Sequence, residues 1–158
     1  MKTLVVYESK HGCTEKCAMI LNNKLQGEVI VINIRNQEIP NIEFFNNVII
    51  GGSIYMGKIQ NKIRKFCFEN VNILKNKKIG LFICCMNKEN EEMQLKSSFP
   101  KELLLHASAI GYFGGEFILE NMNVIEKFIV KKVGKTDKDI SNISKENIDK
   151  FAKLINNI

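Results

Sequence analysis

Several features that would place this chain in other protein classes are absent from its sequence. No apolar run is long enough to cross a bilayer, and no basic segment followed by an apolar one opens the chain, so we expect a cytoplasmic protein. The five cysteines are odd in number and are expected to be reduced thiols rather than a disulfide framework. Because there is also no repeat, low-complexity segment or interdomain linker, we expect the 158 residues to form a single domain, 1–158.

Side chains that would indicate metal or nucleic-acid chemistry are scarce as well. Cys13 and Cys17 lie four residues apart, but no histidine–cysteine pair stands elsewhere at a suitable spacing, so we predict no metal site. The net charge of +6 comes from basic residues without interleaved aromatics, which argues against nucleic-acid binding. This positive balance fits either a lysine-rich solvated surface or an anionic partner.

Short apolar segments alternate with helical patterns along the chain. Strands are predicted at about 2–7, 28–34, 47–50, 78–85 and 110–117. Helices are predicted at about 14–26, 59–70, within 89–109 with Pro100 interrupting it or starting its main part, 124–133 and 144–155. This alternation is typical of a parallel sheet covered on both faces. Ligands of such sheets bind beyond the carboxyl ends of the strands, so we expect the site at the loops 8–14, 51–58 and 84–89.

The first of these loops leads from a strand into the N-terminus of a helix. The first amides of a helix have no internal partner and the helix dipole favours an anion there, so the loop predicts a phosphate site. Ser9 and Thr14 add hydroxyl donors, and Gly12 lets the backbone approach the ligand closely. Two interpretations of His11 stay open, a donor to the phosphate or an exposed loop residue. Cys13 is expected to contribute its backbone amide.

The second and third loops suit a flat ligand. The loop 51–58 combines three glycines with Tyr55 and Met56, which offers backbone approach and an aromatic or thioether face. Tyr55 either stacks on such a ligand or is a surface tyrosine. Cys84 and Cys85 end a strand, so one thiol is expected to face the core and the other the site, with a redox-active vicinal disulfide as the alternative.

These segments resemble the flavodoxin-like proteins, on the residues 9–14 after the first strand and 52–57 after the third. Within that superfamily the chain is most similar to the flavodoxin-domain group that contains the menaquinone-dependent protoporphyrinogen oxidase. This likeness rests on residues 1–4, the segment 52–54 with Gly57, the segment 128–132 and the following Gly134, Thr136 and Asp137. The resemblance implies an α/β, flavodoxin-like three-layer sandwich: a five-stranded parallel sheet in the order 2-1-3-4-5 with helices on both faces. It also implies non-covalently bound FMN.

The resemblance further implies which residues would hold FMN. The phosphate would be bound by the first loop, at Ser9, Lys10, His11, Gly12, Cys13 and Thr14. The isoalloxazine would be lined by the second loop, at Ser53, Ile54, Tyr55, Met56 and Gly57. Its other side would be closed by Cys85, Met86 and Asn87. No side chain is predicted to be catalytic, since the flavin carries the chemistry.

Three functions remain open at this point. The first is an FMN-dependent oxidoreductase that passes electrons between a reduced donor and an acceptor such as a quinone, with protoporphyrinogen oxidation implied only by resemblance. The second is a non-catalytic electron-transfer protein that binds FMN and a redox partner protein. The third is a flavin-free descendant used for regulation or binding. Peripheral membrane contact through the helix 124–133 is a further alternative that we do not expect.

Overall fold

The computed structural model of this chain describes residues 1–117, 123, 126–127 and 139–157. Its strands are β1 (Lys2–Glu8), β2 (Glu28–Asn33), β3 (Asn47–Ser53), β4 (Lys78–Cys84), β5 (Ala109–Tyr112), β6 (Glu116–Phe117) and β7 (Ile140–Ser141). Its helices are α1 (Cys13–Asn22), α2 (Asn61–Glu69), α3 (Val71–Leu74), α4 (Glu91–Ser98), α5 (Lys101–His106) and α6 (Lys145–Asn156). Most of the helix predicted at 124–133, and the segment 128–137 that carried part of the resemblance, lie outside the described residues.

The five main strands form one parallel sheet in the order β2-β1-β3-β4-β5, which confirms the predicted fold. β3 is the central strand, and β1 lies between β2 and β3 and pairs with both. The β-branched and leucine side chains of β1, β3 and β4 are buried on both faces, as expected for a sheet covered by helices, whereas most of those on the edge strands β2 and β5 are partly exposed. The carboxyl ends of β1, β3 and β4 therefore meet at one edge.

Helices cover the two faces with separate apolar cores. On one face, α1 and α6 pack against Val5, Phe82 and their neighbours. The rings of Phe82 and Phe113 stack with centroids 4.4 Å apart, and Phe151 of α6 meets Phe82 edge-on at 6.2 Å. On the opposite face, the helices from α2 to α5 pack over the alternate side chains of the same strands. Among the described residues, no helix is both long and apolar enough to span a membrane.

Two predicted helix starts are confirmed by their local chemistry. Pro100 divides the predicted helix of 89–109 into α4 and α5, because it cannot donate an amide hydrogen bond within a helix but fits at the start of one. Ser144 precedes α6, and its Oγ accepts a hydrogen bond from the amide of Asn147 at 3.2 Å.

The first helix is shorter than predicted at its C-terminal end, where α1 stops at Asn22 instead of near residue 26. The side chain of Asn156, from the end of α6, supplies the reason. Its amide nitrogen donates to the carbonyl of Lys24 at 2.8 Å, and its amide oxygen accepts from the backbone nitrogen of Gln26 at 3.0 Å. A distant side chain thus bonds the backbone amide of Gln26, which a helix extended to residue 26 would have paired internally.

The predicted strand at 110–117 is wrong as a single element. β5 ends at Tyr112, and Glu116–Phe117 forms the separate strand β6, antiparallel to β7. Gly114 separates them with φ +79°, a conformation that turns the chain and favours glycine. A Cβ atom at Gly114 would lie 1.9 Å from the carbonyl oxygen of Asn142, so glycine is also needed for the close approach of the chain before α6.

Candidate functional site

The loop between β1 and α1 presents backbone donors at the edge of the sheet. Gly12 precedes the helix with φ +91°, and its amide donates to Ser9 Oγ at 3.0 Å. This bond closes the loop and directs the chain into α1. The amides at the start of α1 have no acceptor within the helix, and they lie at the positive end of its dipole. The loop is therefore built to receive an anion.

Thr14 supplies a side chain that is unsatisfied at this position. The residue is only 1 % exposed, and its Oγ1 is a buried oxygen without a hydrogen-bond partner among the residues that the structure describes. Buried hydroxyls are normally hydrogen-bonded, so this one, which lines a cavity, is suited to donate to a ligand bound there. A phosphate oxygen would accept its hydrogen.

Two side chains of the loop, those of Lys10 and His11, contact one carboxylate that is distant in the sequence, that of Glu126. Lys10 Nζ lies 2.6 Å from Glu126 Oε1, and His11 Nε2 contacts Glu126 Oε2. Glu126 is 4 % exposed. Burial raises its pKa, but Lys10 and His11 outweigh that effect and hold the pKa of Glu126 below its ordinary value. A negative charge therefore stands next to the anion-binding loop.

The loop after β3 forms a tight turn with an exposed tip. The backbone nitrogen and oxygen of Tyr55 each bond to the backbone of Lys58, at 2.9 and 3.1 Å. Met56 and Gly57 between them have φ values of +49° and +78°, as in a type I′ turn. Tyr55 is 46 % exposed and Met56 70 % exposed, so the tip offers an aromatic ring and a thioether to whatever approaches the cavity.

Gln60 holds the first two loops together. Its amide nitrogen donates to Ser53 Oγ at 2.7 Å and to the carbonyl of Glu8 at 3.3 Å. Among the described residues, its amide oxygen is buried without a hydrogen-bond partner. Gln60 was not predicted, because its position carries no local signal and only the fold places it between the ends of β1 and β3.

A cavity of about 340 Å³ opens between these two loops. It is lined by eight of the predicted residues: Ser9, Lys10, His11, Cys13, Thr14, Ser53, Ile54 and Tyr55. It is also lined by five residues that were not predicted: Arg35, Gln60, Glu116, Asn123 and Glu126. Gly12, Met56 and Gly57 belong to the same loops without lining the cavity. Its size and mixed lining suit a small organic phosphate.

The third loop lies apart from this cavity. Cys85, Met86 and Asn87 line a separate cavity of about 1050 Å³ together with Tyr112 and the chain before α6. Cys85 Sγ lies 2.7 Å from Gln94 Oε1, and burial raises the pKa of this thiol. The thiols of Cys84 and Cys85 are both free and belong to the cores on opposite faces of the sheet.

Comparisons with known proteins agree with this architecture. The model of the family described as "Flavodoxin domain" matches residues 4–144. Among solved structures, the chain is similar to a short-chain flavodoxin associated with a non-canonical PDU bacterial microcompartment, with 16% identity and a TM-score of 0.58 over 98% of this chain and 95% of that one. No curated protein matches the chain significantly.

Two further solved structures share the fold. A flavodoxin from the domain Archaea has 18% identity and a TM-score of 0.56, over 85% of this chain and 94% of that one. The Fusobacterium nucleatum flavodoxin, determined bound to flavin mononucleotide, has 12% identity and a TM-score of 0.53, over 98% of this chain and 96% of that one. At these identities the likeness concerns the fold.

Proposed function

This chain belongs to the flavodoxin domain family, and we propose on that premise that it binds FMN non-covalently and transfers electrons. The observation that carries the proposal is the hydroxyl of Thr14. It is buried, it has no hydrogen-bond partner among the described residues, and it lies at the start of α1, just after the turn at Gly12. Tyr55 lines the adjoining cavity. This combination suits a ligand that has a phosphate at one end and a flat ring at the other.

Each part of the site has a definite task in this proposal. The amides at the start of α1 and the hydroxyl of Thr14 donate to the phosphate, while Lys10 and His11 balance its charge. Tyr55 and the turn at 55–58 cover the ring and limit access of water to it. Bound FMN supplies the electron transfer itself, and the protein orients it and sets its electrostatic surroundings.

Replacement of Thr14 by valine tests the phosphate assignment. Valine keeps the shape of threonine and removes the hydroxyl. A hydrogen bond to a charged group contributes about 1.5–3 kcal/mol. We therefore expect the T14V variant to bind FMN roughly 10- to 100-fold more weakly, with riboflavin affinity unchanged because riboflavin has no phosphate. Titration followed by quenching of flavin fluorescence measures both affinities.

Two other variants serve as controls. T14S keeps the hydroxyl and should restore most of the FMN affinity. Thr3 is equally buried, and its Oγ1 accepts from Asn47 Nδ2 at 2.9 Å, so T3V removes a buried hydroxyl far from the cavity. Equal loss of FMN and riboflavin affinity in T14V, or equal loss in T3V, would contradict a phosphate role for Thr14.

We further propose that the protein is an oxidoreductase whose acceptor approaches the exposed tip at Tyr55 and Met56. An apolar acceptor such as a quinone suits the 70 % exposed thioether and the neighbouring ring. FMN-loaded, chemically reduced protein should be reoxidised by menadione under anaerobic conditions, and the M56S variant should react more slowly. Protoporphyrinogen can be tested as a donor in the same assay.

The alternative is a non-catalytic carrier that exchanges electrons with a protein. The net charge of +6 would then favour an acidic partner through a weak, salt-sensitive interface. Reoxidation by menadione no faster than that of free reduced FMN, together with rapid exchange with a ferredoxin or a reductase, would favour the carrier over the oxidoreductase.

A further inference from the structure

Three cysteine side chains converge beneath the first turn of α1. Cys13 begins the helix and Cys17 lies one turn later, so both thiols lie on the helix face that packs against the sheet. Cys84 ends β4 on the sheet face that α1 covers. The three Sγ atoms all lie within 4.8 Å of one another.

These separations are close to those of a metal trithiolate. A metal–sulfur bond of about 2.3 Å gives sulfur–sulfur distances of about 4 Å when three sulfurs surround one ion in a plane. The three Sγ atoms would have to approach one another by less than about 1 Å, which small side-chain rotations can provide. No fourth histidine, cysteine or carboxylate joins the group in the part of the chain that the structure describes.

We propose that Cys13, Cys17 and Cys84 form a binding site for one soft, thiophilic metal ion of the Cu(I) class. Thiolate ligands select such ions over Mg²⁺ or Ca²⁺. Structural zinc sites take four protein ligands, so a set of three sulfurs favours an ion that three-coordinate geometry satisfies. The metal would use the side chain of Cys13, whereas the FMN proposal uses its backbone amide, so the two proposals can be tested separately.

Binding of the ion exchanges protons for metal at the sulfurs. When the ion binds, the S–H bonds of the ligating cysteines break, metal–sulfur bonds replace them, and the protons leave to solvent without any redox change. Cys13 lines the cavity and is 8 % exposed, which gives the ion a path of entry.

Cys67 provides a matched comparison within the chain. It is fully buried on the opposite face of the sheet and belongs to the other core. Burial raises the pKa of this thiol to about 12, and it belongs to no cluster of metal-ligating groups found among the described residues. A cysteine that serves only as a small core side chain needs no thiol neighbours, so the convergence of the other three calls for a different explanation.

Titration of the full chain with Cu(I), under anaerobic reducing conditions and in competition with a coloured Cu(I) chelator, tests the proposal. We expect the wild-type protein to withdraw one equivalent from the chelator, the C67A variant to do the same, and C17A and C84A to lose this binding. The proposal would be overturned if the wild-type protein withdrew no Cu(I) from the chelator, or if C17A and C84A withdrew as much Cu(I) as the wild-type protein.

A measurement on the wild-type complex protects the test against variants that fail to fold. X-ray absorption at the copper edge should show three sulfur neighbours and no nitrogen or oxygen neighbour. Fewer than three sulfurs, or a mixed shell, would overturn the assignment whatever the variants do. Because no flavin is needed in either experiment, failure of this site would leave the FMN proposal untouched.

Discussion

Replacement of Glu126 by glutamine should strengthen FMN binding. The Glu126 carboxylate contacts Lys10 and His11 at the phosphate loop, so in the FMN complex it would compete with the phosphate for the same side chains. Glutamine keeps the size of the side chain and removes its charge. The E126Q variant therefore tests whether the buried carboxylate opposes the ligand.

The size of the effect can be worked out from Coulomb's law. At about 6 Å and an effective dielectric constant of about 40, two unit charges repel by about 1.4 kcal/mol. The phosphate carries about −1.5 to −2 charges. A Debye length of about 8 Å at 0.15 M salt reduces the repulsion by roughly half. The remaining 1 kcal/mol or slightly more corresponds to about five- to tenfold tighter FMN binding.

Fluorescence titration of E126Q with FMN and with riboflavin measures this effect. Riboflavin affinity should stay unchanged, and the gain for FMN should increase at low salt. The E146Q variant removes an equally negative but exposed side chain on α6, which pairs with Lys150, and it should leave both affinities unchanged. FMN affinity in E126Q that is unchanged or weaker than in the wild-type protein would refute the argument and make Glu126 a partner of the site rather than a competitor.

Two further predictions concern stability. Phe82 stacks on Phe113 with ring centroids 4.4 Å apart and is fully buried, so F82A should lower the free energy of unfolding by about 3–5 kcal/mol in urea titrations. The control F68A, at a 58 % exposed position, should change it by less than about 0.5 kcal/mol. Burial and the neighbouring Glu15 raise the pKa of Tyr7 to about 12. As the pH rises, the phenol therefore ionises first in the unfolded chain, and the free energy of unfolding should fall between about pH 10 and about pH 12. This fall should be less steep in Y7F. Equal dependence of the free energy of unfolding on pH in Y7F and the wild-type protein would contradict the assignment.

The sequence predicted those parts of the fold that depend on local chemistry. The alternation of apolar strands and helical patterns predicted a parallel sheet, and the family resemblance implied its strand order. Pro100 and Ser144 marked helix starts because their effects act within a few residues. The end of α1 was missed because Asn156, more than 130 residues away, bonds the backbone there. The break after β5 depends on a close approach of Gly114 to Asn142, which periodicity does not reveal.

In the candidate site, too, features set by local chemistry were predicted and those set by contacts distant in the sequence were not. The phosphate loop was predicted because a hydroxyl-rich, glycine-containing turn before a helix has its own chemistry. Glu126 was not predicted, since it reaches Lys10 across 116 positions of sequence. The convergence of Cys84 with Cys13 and Cys17 depends on how α1 lies on the sheet, and sequence spacing alone indicated no metal site. The second and third loops are close in the sheet order, yet only the structure shows that they line different cavities.

The central claim is that the phosphate loop and the adjoining cavity hold FMN. The most direct test is the visible absorption spectrum of the purified protein, followed by fluorescence titration of the flavin-free protein with FMN and, in parallel, with riboflavin. The account predicts a yellow protein or saturable one-to-one quenching by FMN, with riboflavin bound clearly more weakly. A colourless protein that leaves FMN fluorescence unchanged, or one that binds both flavins equally, would contradict it.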